Sequence, residues 1–247
     1  MEVIMNQIME EKSEKTEFLE CEKIWVFWAL IFVGGFYGAY TYSLRGGVFC
    51  NAQTANIVLF SMHLGNGEWR QAAYYLIPFS AYLGGTVISE VLAKEIKKYH
   101  FLRWDTILVG IELIAVILLG LMPASWPDQI CQVTLNFICA MQFNTFRQAE
   151  GIGMATTFCT NHLRQFGSYM VQFLRSKNSS VGRKCRLHGS MMFIFATGVL
   201  AGTLGCKFMS YHSIWGAGVV LFVVFIKLLY ADRTYERELL AVTPHGH

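Results

Sequence analysis

Charge is what this chain has least of. Only 15% of its 247 residues are Asp, Glu, Lys or Arg, 54% are hydrophobic, and the mean hydropathy is +0.39. That balance lies outside the range of soluble domains and points to an integral membrane protein. Aspartate is confined to Asp105, Asp128 and Asp232, all at the ends of apolar runs, which leaves no material for a paired-aspartate intramembrane protease. No nucleophile elbow, HExxH, P-loop or dinucleotide fingerprint occurs, and Glu150-Gly151-Ile152-Gly153 is too weak to count as one. An enzyme is therefore not expected, and neither is a cofactor. The net charge of +3 is small and dispersed, with no stripe of aromatic and basic residues, so nucleic acid is set aside as a partner. Seven cysteines, at 21, 50, 131, 139, 159, 185 and 206, form no CxxC pair and no zinc-like spacing with histidine. They read as small apolar packing residues, and no metal is expected.

A basic leader is also missing. The first 23 residues carry seven glutamates against Lys12, Lys15 and Lys23, so residues 1–23 are expected to be a retained acidic tail. It is either solvated or an amphipathic helix built on Val3, Ile4, Ile8 and Met9.

What the chain has in quantity is apolar runs of span length. These are Ile24 to Leu44, Ala72 to Ala93, Thr106 to Met122, Ile130 to Phe146, Met191 to Phe208 and Ile214 to Tyr230, near the roughly 20 residues that cross about 30 Å of hydrocarbon. Two polar segments, Val48 to Leu64 and Gly153 to Leu174, are also long enough to be helices. Basic residues choose among the topologies. Lys94, Lys97, Lys98 and Arg103 crowd one connection and Arg175, Lys177, Arg183, Lys184 and Arg186 another, whereas Pro123 to Asp128 has no lysine or arginine. Eight crossings would put the two basic loops on opposite sides, against the positive-inside rule; six put both loops and both termini inside. Seven, with the amino terminus outside, also satisfies the charges.

The chain reads as built twice. Gly46 and Asn56 fall on Gly151 and Asn161 at an offset of 105, and Ala81 and Gly85 on Gly198 and Gly202 at 117. With three crossings per repeat the second must be inverted, a recurrent transporter construction with its site at the repeat interface. The expected fold is thus an all-α integral membrane bundle of about six transmembrane helices in two inverted three-span repeats, residues 24–122 and 128–231. Each repeat carries an additional polar broken or re-entrant helix, and residues 232–247 form a C-terminal tail.

The run GGFYGAYTYSLRGGVFCNAQTANIVL, with Gln142-Phe143-Asn144-Thr145-Phe146-Arg147 and Met154-Ala155-Thr156-Thr157-Phe158-Cys159-Thr160-Asn161, resembles the YoaK-like family of uncharacterised bacterial membrane proteins over residues 24 to 232. The chain departs from that family's pattern at Ala55, Cys159 and Thr160, where the family has glycine, threonine and glycine. The resemblance implies a multi-pass protein of the bacterial plasma membrane and no settled activity.

Polar groups at membrane depth must find partners or line a cavity. Asn56 and Asn161 with Gln53, Thr54, Thr157 and Thr160 form the leading candidate binding site, with interhelical hydrogen bonding as the alternative. Arg45 and Arg147, at matching ends of the first span of each repeat, are candidates for an anionic substrate group or for snorkelling to headgroups. Arg164, within the second polar segment, is expected to face water or protein. Glu112, in the centre of an apolar run, is a candidate proton carrier or a hydrogen-bonded structural carboxyl. His162 shares that reading, and His63 is expected to be interfacial. Glu90 is expected to pair with Lys94 at i,i+4. The functional expectation is a small transporter or channel-like permease for a polar or anionic solute, with a non-transporting scaffold or sensor as the competing class. Beside the lipid bilayer, the partner expected is a homodimer through Gly34 and Gly38 or Gly198 and Gly202; the same pairs could equally be internal packing.

Overall fold

The computed structural model describes residues 18–96, 101–240 and 242–245; the helix expected on Val3 to Met9 lies outside the described residues. These residues form eight α-helices: α1 Ile24–Leu44, α2 Gln53–Gly65, α3 Trp69–Ile96, α4 Trp104–Leu121, α5 Asp128–Thr145, α6 Thr160–Ser176, α7 Ser179–Met209 and α8 Trp215–Arg233. Between α5 and α6 a minimal antiparallel hairpin pairs β1 Gln148–Ala149 with β2 Ile152–Gly153. Four stretches are long and apolar enough to cross a membrane: α1, α3, α4, and Ser179–Arg233, which contains both α7 and α8. Helix α5 is the exception among the expected spans. Gln132, Asn136 and Gln142 lower its hydropathy, and all three are buried inside the bundle, where neighbouring helices serve the amides that lipid could not.

The molecule has two ends that can be told apart by their charges. At one, the Glu20 N–H donates to Glu236 Oε1 at 2.7 Å, the His245 N–H to Glu22 Oε1 at 2.5 Å, and Arg103 lies 3.3 Å from Asp232 and 3.5 Å from Glu236. The glutamates just before α1, expected in a solvated tail, are instead buried there against the C-terminal residues. At the other end Arg45 meets Asp128, and His212 lies 2.8 Å from Gly120 O. Helix α1 runs from the Glu22 end to the Arg45 end, while α5 starts at Asp128 and finishes where Arg147 meets Glu90, so the two are antiparallel.

Packing follows a crossed pattern: α1 lies along α7 and α3 along α5, α2 packs on α3, α6 on α7, and α4 on α8. Glycine permits close crossings in both of the first two pairs. A Cβ on Gly85 would stand 2.3 Å from Phe137 O and 3.0 Å from Ala140 Cβ; one on Gly202 would stand 2.9 Å from Phe36 O and 3.0 Å from Ala39 Cβ. The pair matched at 117 therefore meets the same two residue types, Phe then Ala three positions on, in α5 and α1. The glycine faces expected to serve a dimer are used within the chain, Gly34 by Thr156, Gly38 by Asn51, Gly198 by Phe32 and Gly202 by Phe36, because backbones approach closely only where no Cβ intervenes. A homodimer would need another face.

Both polar segments turn back on themselves. After α1 ends, Gly46 and Gly47 take positive φ, which glycine adopts freely, and the chain doubles back until Asn51 Nδ2 donates to Gly34 O at 2.8 Å. Gly34 lies ten residues short of Leu44, about 15 Å down the helix. Helix α2 then returns to the end it came from, since Tyr74 in the second turn of α3 touches Gly46. The second segment repeats this from the opposite end. Glu150 N–H bonds Glu22 O and Met154 N–H bonds Arg147 O, and the chain then reaches Gly34, against which Thr156 and Thr157 pack. Helix α6 leads back to the Glu22 end, where Arg183 at the start of α7 pairs with Glu150. The helices themselves are shorter than the expected Val48 to Leu64 and Gly153 to Leu174, because the first residues of each segment are spent on the extended inward strand.

Candidate functional site

Between the Arg45 end and the midpoint of α1 the first segment and α5 assemble a chain of amides. Gln132 Nε2 donates to Arg45 O at 2.6 Å and Asn136 Nδ2 to Gln132 O at 2.8 Å. Gln53 Nε2 donates to Asn136 Oδ1 at 2.7 Å, and Gln53 Oε1 accepts from Asn56 Nδ2 at 3.2 Å. Asn56 also clamps its own loop, accepting from Phe49 N–H at 3.2 Å and donating to Phe49 O at 2.7 Å. Further toward the Glu22 end, Gln142 bridges α4 and the second segment. With its amide oriented to satisfy both ends, Nε2 lies 3.2 and 3.3 Å from the two Glu112 oxygens and Oε1 accepts from Thr156 Oγ1 at 3.1 Å. Among the described residues no cation pairs with the fully buried Glu112, and the hydroxyl of Tyr37, also fully buried, has no hydrogen-bond partner.

The second segment has its own clamp, and it is not the one expected. His162 Nε2 lies 2.8 Å from Ala155 O and 3.3 Å from Ala155 N; one ring nitrogen donates or accepts but not both, so it holds one of these peptide groups where Asn56 holds both of Phe49's. The side chain placed toward its loop as Asn56 is toward its own is thus His162, at an offset of 106, while Asn161 is half-buried and accepts from Arg164 at 3.1 Å. The β1–β2 hairpin accounts for the drift: helix ends Leu44 and Thr145 are 101 apart, and the extra hairpin residues are in place before the clamps. His162 Nδ1 lies 2.9 Å from His188 Nδ1, and Tyr169 stacks on His188.

The remaining predicted residues divide between centre, seals and surface. Thr157 is buried beside Tyr82. Thr54 and Thr160 are exposed on the outer sides of their helices and line none of the central contacts. Arg45 does not snorkel. Its side chain is 0% exposed, its guanidinium donates to Tyr40 Oη at 3.2 and 3.3 Å, sits 4.2 Å over the Tyr211 ring and reaches Asp128 at 3.3 Å. Arg147 is 39% exposed, pairs with Glu90 at 3.2 Å and donates to Asn144. Glu90 also meets Lys94 at 3.3 Å as the i,i+4 spacing required, and His63 stacks on Tyr75 at the exposed end of α2. Five of the seven cysteines are buried and all are free.

Gln132, Asn136, Gln142, Asn51, Tyr37 and His188 were not singled out from the sequence. The first two carried a readable signal, polar residues at i,i+4 inside an apolar run, which places both on one helix face. Asn51 and His188 acquire their roles only through partners brought from elsewhere in the fold.

The class defined by these observations is an all-helical protein with membrane-length apolar helices and a buried polar centre. The chain belongs to the family described as protein of unknown function DUF1275, whose model matches residues 26–227. That bears out the expectation of an uncharacterised family; the YoaK-like name itself is not part of the match. Neither curated proteins nor solved structures yield a match.

Proposed function

We propose that this protein is a small membrane permease for a polar or anionic solute. Six crossings, α1, α3, α4, α5, α7 and α8, would form two oppositely oriented three-span halves, with α2 and α6 re-entrant from opposite faces. One observation carries the reading: two polar segments entering from opposite ends of α1 meet at Gly34, beside a buried carboxyl and a chain of amides. Irregular backbone at such depth is tolerated where it is buried in protein or lines a pathway, and this arrangement is the one inverted-repeat transporters use. The matched environments of Gly85 and Gly202, and of Asn56 and His162, support the duplication. Both clusters of basic residues fall at the Glu22 end, through Arg103 and through Arg183, which supports placing that end and both termini in the cytoplasm of a bacterial plasma membrane. Glu112, without a cation against it, is the group at which a proton would be exchanged for solute, and His162 with His188 supplies polar groups toward the inner end.

A second reading is favoured by a specific feature. Asn51, Gln53, Asn56, Gln132 and Asn136 are each hydrogen-bonded within the protein, as a scaffold or sensor with a permanently dry centre would require. Proteoliposomes holding a pH-sensitive dye separate the two. Carboxylates, amino acids and nucleobases are offered outside in turn; a solute-dependent proton flux that disappears in Glu112→Gln and Asn161→Leu supports the permease. Folded protein that passes none of them supports the scaffold.

A further inference from the structure

Arg147 lines two sizeable cavities toward the Glu22 end. One, of about 300 Å³, lies between α3, the start of α4 and the C-terminal residues Leu240 to Pro244; the other, of about 360 Å³, lies between the end of α5, β2 and the first turns of α6. The second is lined by Phe143, Arg147, Phe158, Asn161, Arg164 and Gln165 with the backbone around Met154. It therefore carries two guanidinium groups and no carboxylate. Glu90, which pairs with Arg147, borders the first cavity and also meets Lys94. Arg164 has an amide acceptor in Asn161 and no ion pair among the described residues.

Helix geometry explains why this cleft is polar. Asn161, Arg164, Gln165, Ser168, Gln172 and Arg175 recur at intervals of three and four, so they share one face of α6 along its whole length. A flanking face packs on protein, with Phe166 and Phe173 against Gly189 and Gly182 of α7, while Leu163, Met170 and Leu174 on the far side are exposed. A continuous polar face thus leads from the Glu22 end to the cleft. Arg45, in the corresponding place at the other end, shows the same residue type with its surroundings closed, covered by Tyr211 and Tyr40 and neutralised by Asp128.

We propose that the cleft between the end of α5, β2 and α6 is an anion-recognition site, in which Arg164 and Arg147 hold a carboxylate or phosphate group and the Asn161 and Gln165 amides complete its hydrogen bonding. Guanidinium is planar, permanently charged and presents paired donors that match both groups. The proposal rests on the permease reading in naming the solute an anion that loads from the Glu22 end. The phosphate of a lipid headgroup has the same chemistry as a soluble anion and must be told apart from it.

Full-length protein in a neutral detergent is titrated by calorimetry with inorganic phosphate, with succinate and, separately, with a short-chain phosphatidylglycerol. The expected result is saturable binding of phosphate or succinate, weakened about tenfold or more by Arg164→Gln and by Arg147→Gln, a loss of about 1.4 kcal/mol. Arg186→Gln, an exposed control that removes the same charge from α7, leaves it unchanged. Binding of the phosphatidylglycerol alone, lost in the same two variants, upholds the site and assigns it to a headgroup. Arg164 is exposed and its replacement leaves the fold intact, so undiminished binding in Arg164→Gln, or no binding of any of the three, overturns the proposal. Solute flux that persists in Arg164→Gln would sink the anion assignment and leave the permease standing; anion binding in a protein that passes no solute would do the reverse.

Discussion

Asn56 and His162 each hold the backbone of a residue seven positions earlier, Phe49 and Ala155, and so fasten the two inward-turning loops with different side chains. Both side chains are buried, at 1% and 0% exposure, so removing either leaves peptide groups without partners or water. The expected cost of Asn56→Ala or His162→Ala is about 1 to 3 kcal/mol, the penalty of an unsatisfied buried group. Thermal unfolding in detergent should show a lowered midpoint for both, while Asn161→Ala, which removes only a contact to exposed Arg164, leaves it within error. A wild-type midpoint in His162→Ala would remove the clamp.

This pair also marks how far the sequence could be read. A strict offset of 105 matched Asn56 to Asn161 because the residue types agree, whereas the side chain that reaches back to its own loop as Asn56 does is one position further on, His162. The hairpin between Gln148 and Gly153 adds length in one half only, and nothing in the residue types says where the extra residues sit. The Gly85 and Gly202 match survived because both lie inside uninterrupted helices, where no insertion can shift them. The convergence of the two polar segments was readable for an equally physical reason: amides in an apolar chain have few places to go. The sealing of Arg45 was not, since it depends on Tyr211, supplied by the connection between α7 and α8, and charge alone gave no reason to prefer that seal to the headgroups. Nor was the burial of Glu20 and Glu22, whose partners Tyr235, Glu236 and His245 come from the far end of the chain.

The helix crossings predict a contrast between adjacent glycines. A Cβ on Gly85 meets Phe137 O at 2.3 Å and one on Gly198 meets Phe32 O at 2.1 Å, both backbone atoms that cannot swing aside, while Gly84 has nothing within 4 Å. Gly84→Ala should accumulate as wild type and gain slightly from helix propensity. Gly85→Val and Gly198→Val should force the helix pairs apart at a cost of about 1 to 3 kcal/mol or more, seen as loss of monodisperse protein by fluorescence-detected size exclusion. Equal behaviour of Gly84→Val and Gly85→Val would mean that α3 and α5 do not cross there.

Acid should loosen the Glu22 end. Burial alone would raise the Glu20 carboxyl, but hydrogen bonds from Lys23, Tyr235 and Trp25 outweigh it and hold the group below its ordinary value of 4.5. A depressed carboxylate contributes stability that is present above the unfolded-state value and is lost as pH falls through the folded one. Glu20→Gln should therefore lower the thermal midpoint at pH 7, and the gap between variant and wild type should close as pH drops below about 4.5. A gap that stays constant from pH 7 to pH 3 would show that the carboxylate charge contributes nothing there.

Arg45 and Arg147 stand at corresponding ends of α1 and α5, yet their removal should have very different consequences. Arg45 is fully enclosed, and although Asp128, 38% exposed, stays in reach of water, the loss of Arg45 empties the space beneath Tyr211 and Tyr40 and removes the bonds to Tyr40, so Arg45→Ala should cost about 1 to 3 kcal/mol. Arg45→Lys should recover only part of this, because an ammonium cannot reproduce the flat contact with the Tyr211 ring and the two bonds to Tyr40 together. Arg147 has an exposed pair with Glu90, and its loss should cost less than about 1 kcal/mol. Chemical unfolding of the three variants side by side checks this. If Arg147→Ala proved as destabilising as Arg45→Ala, the two ends of the molecule would be equally closed, and the open cleft beside Arg147 would have no standing as a way in.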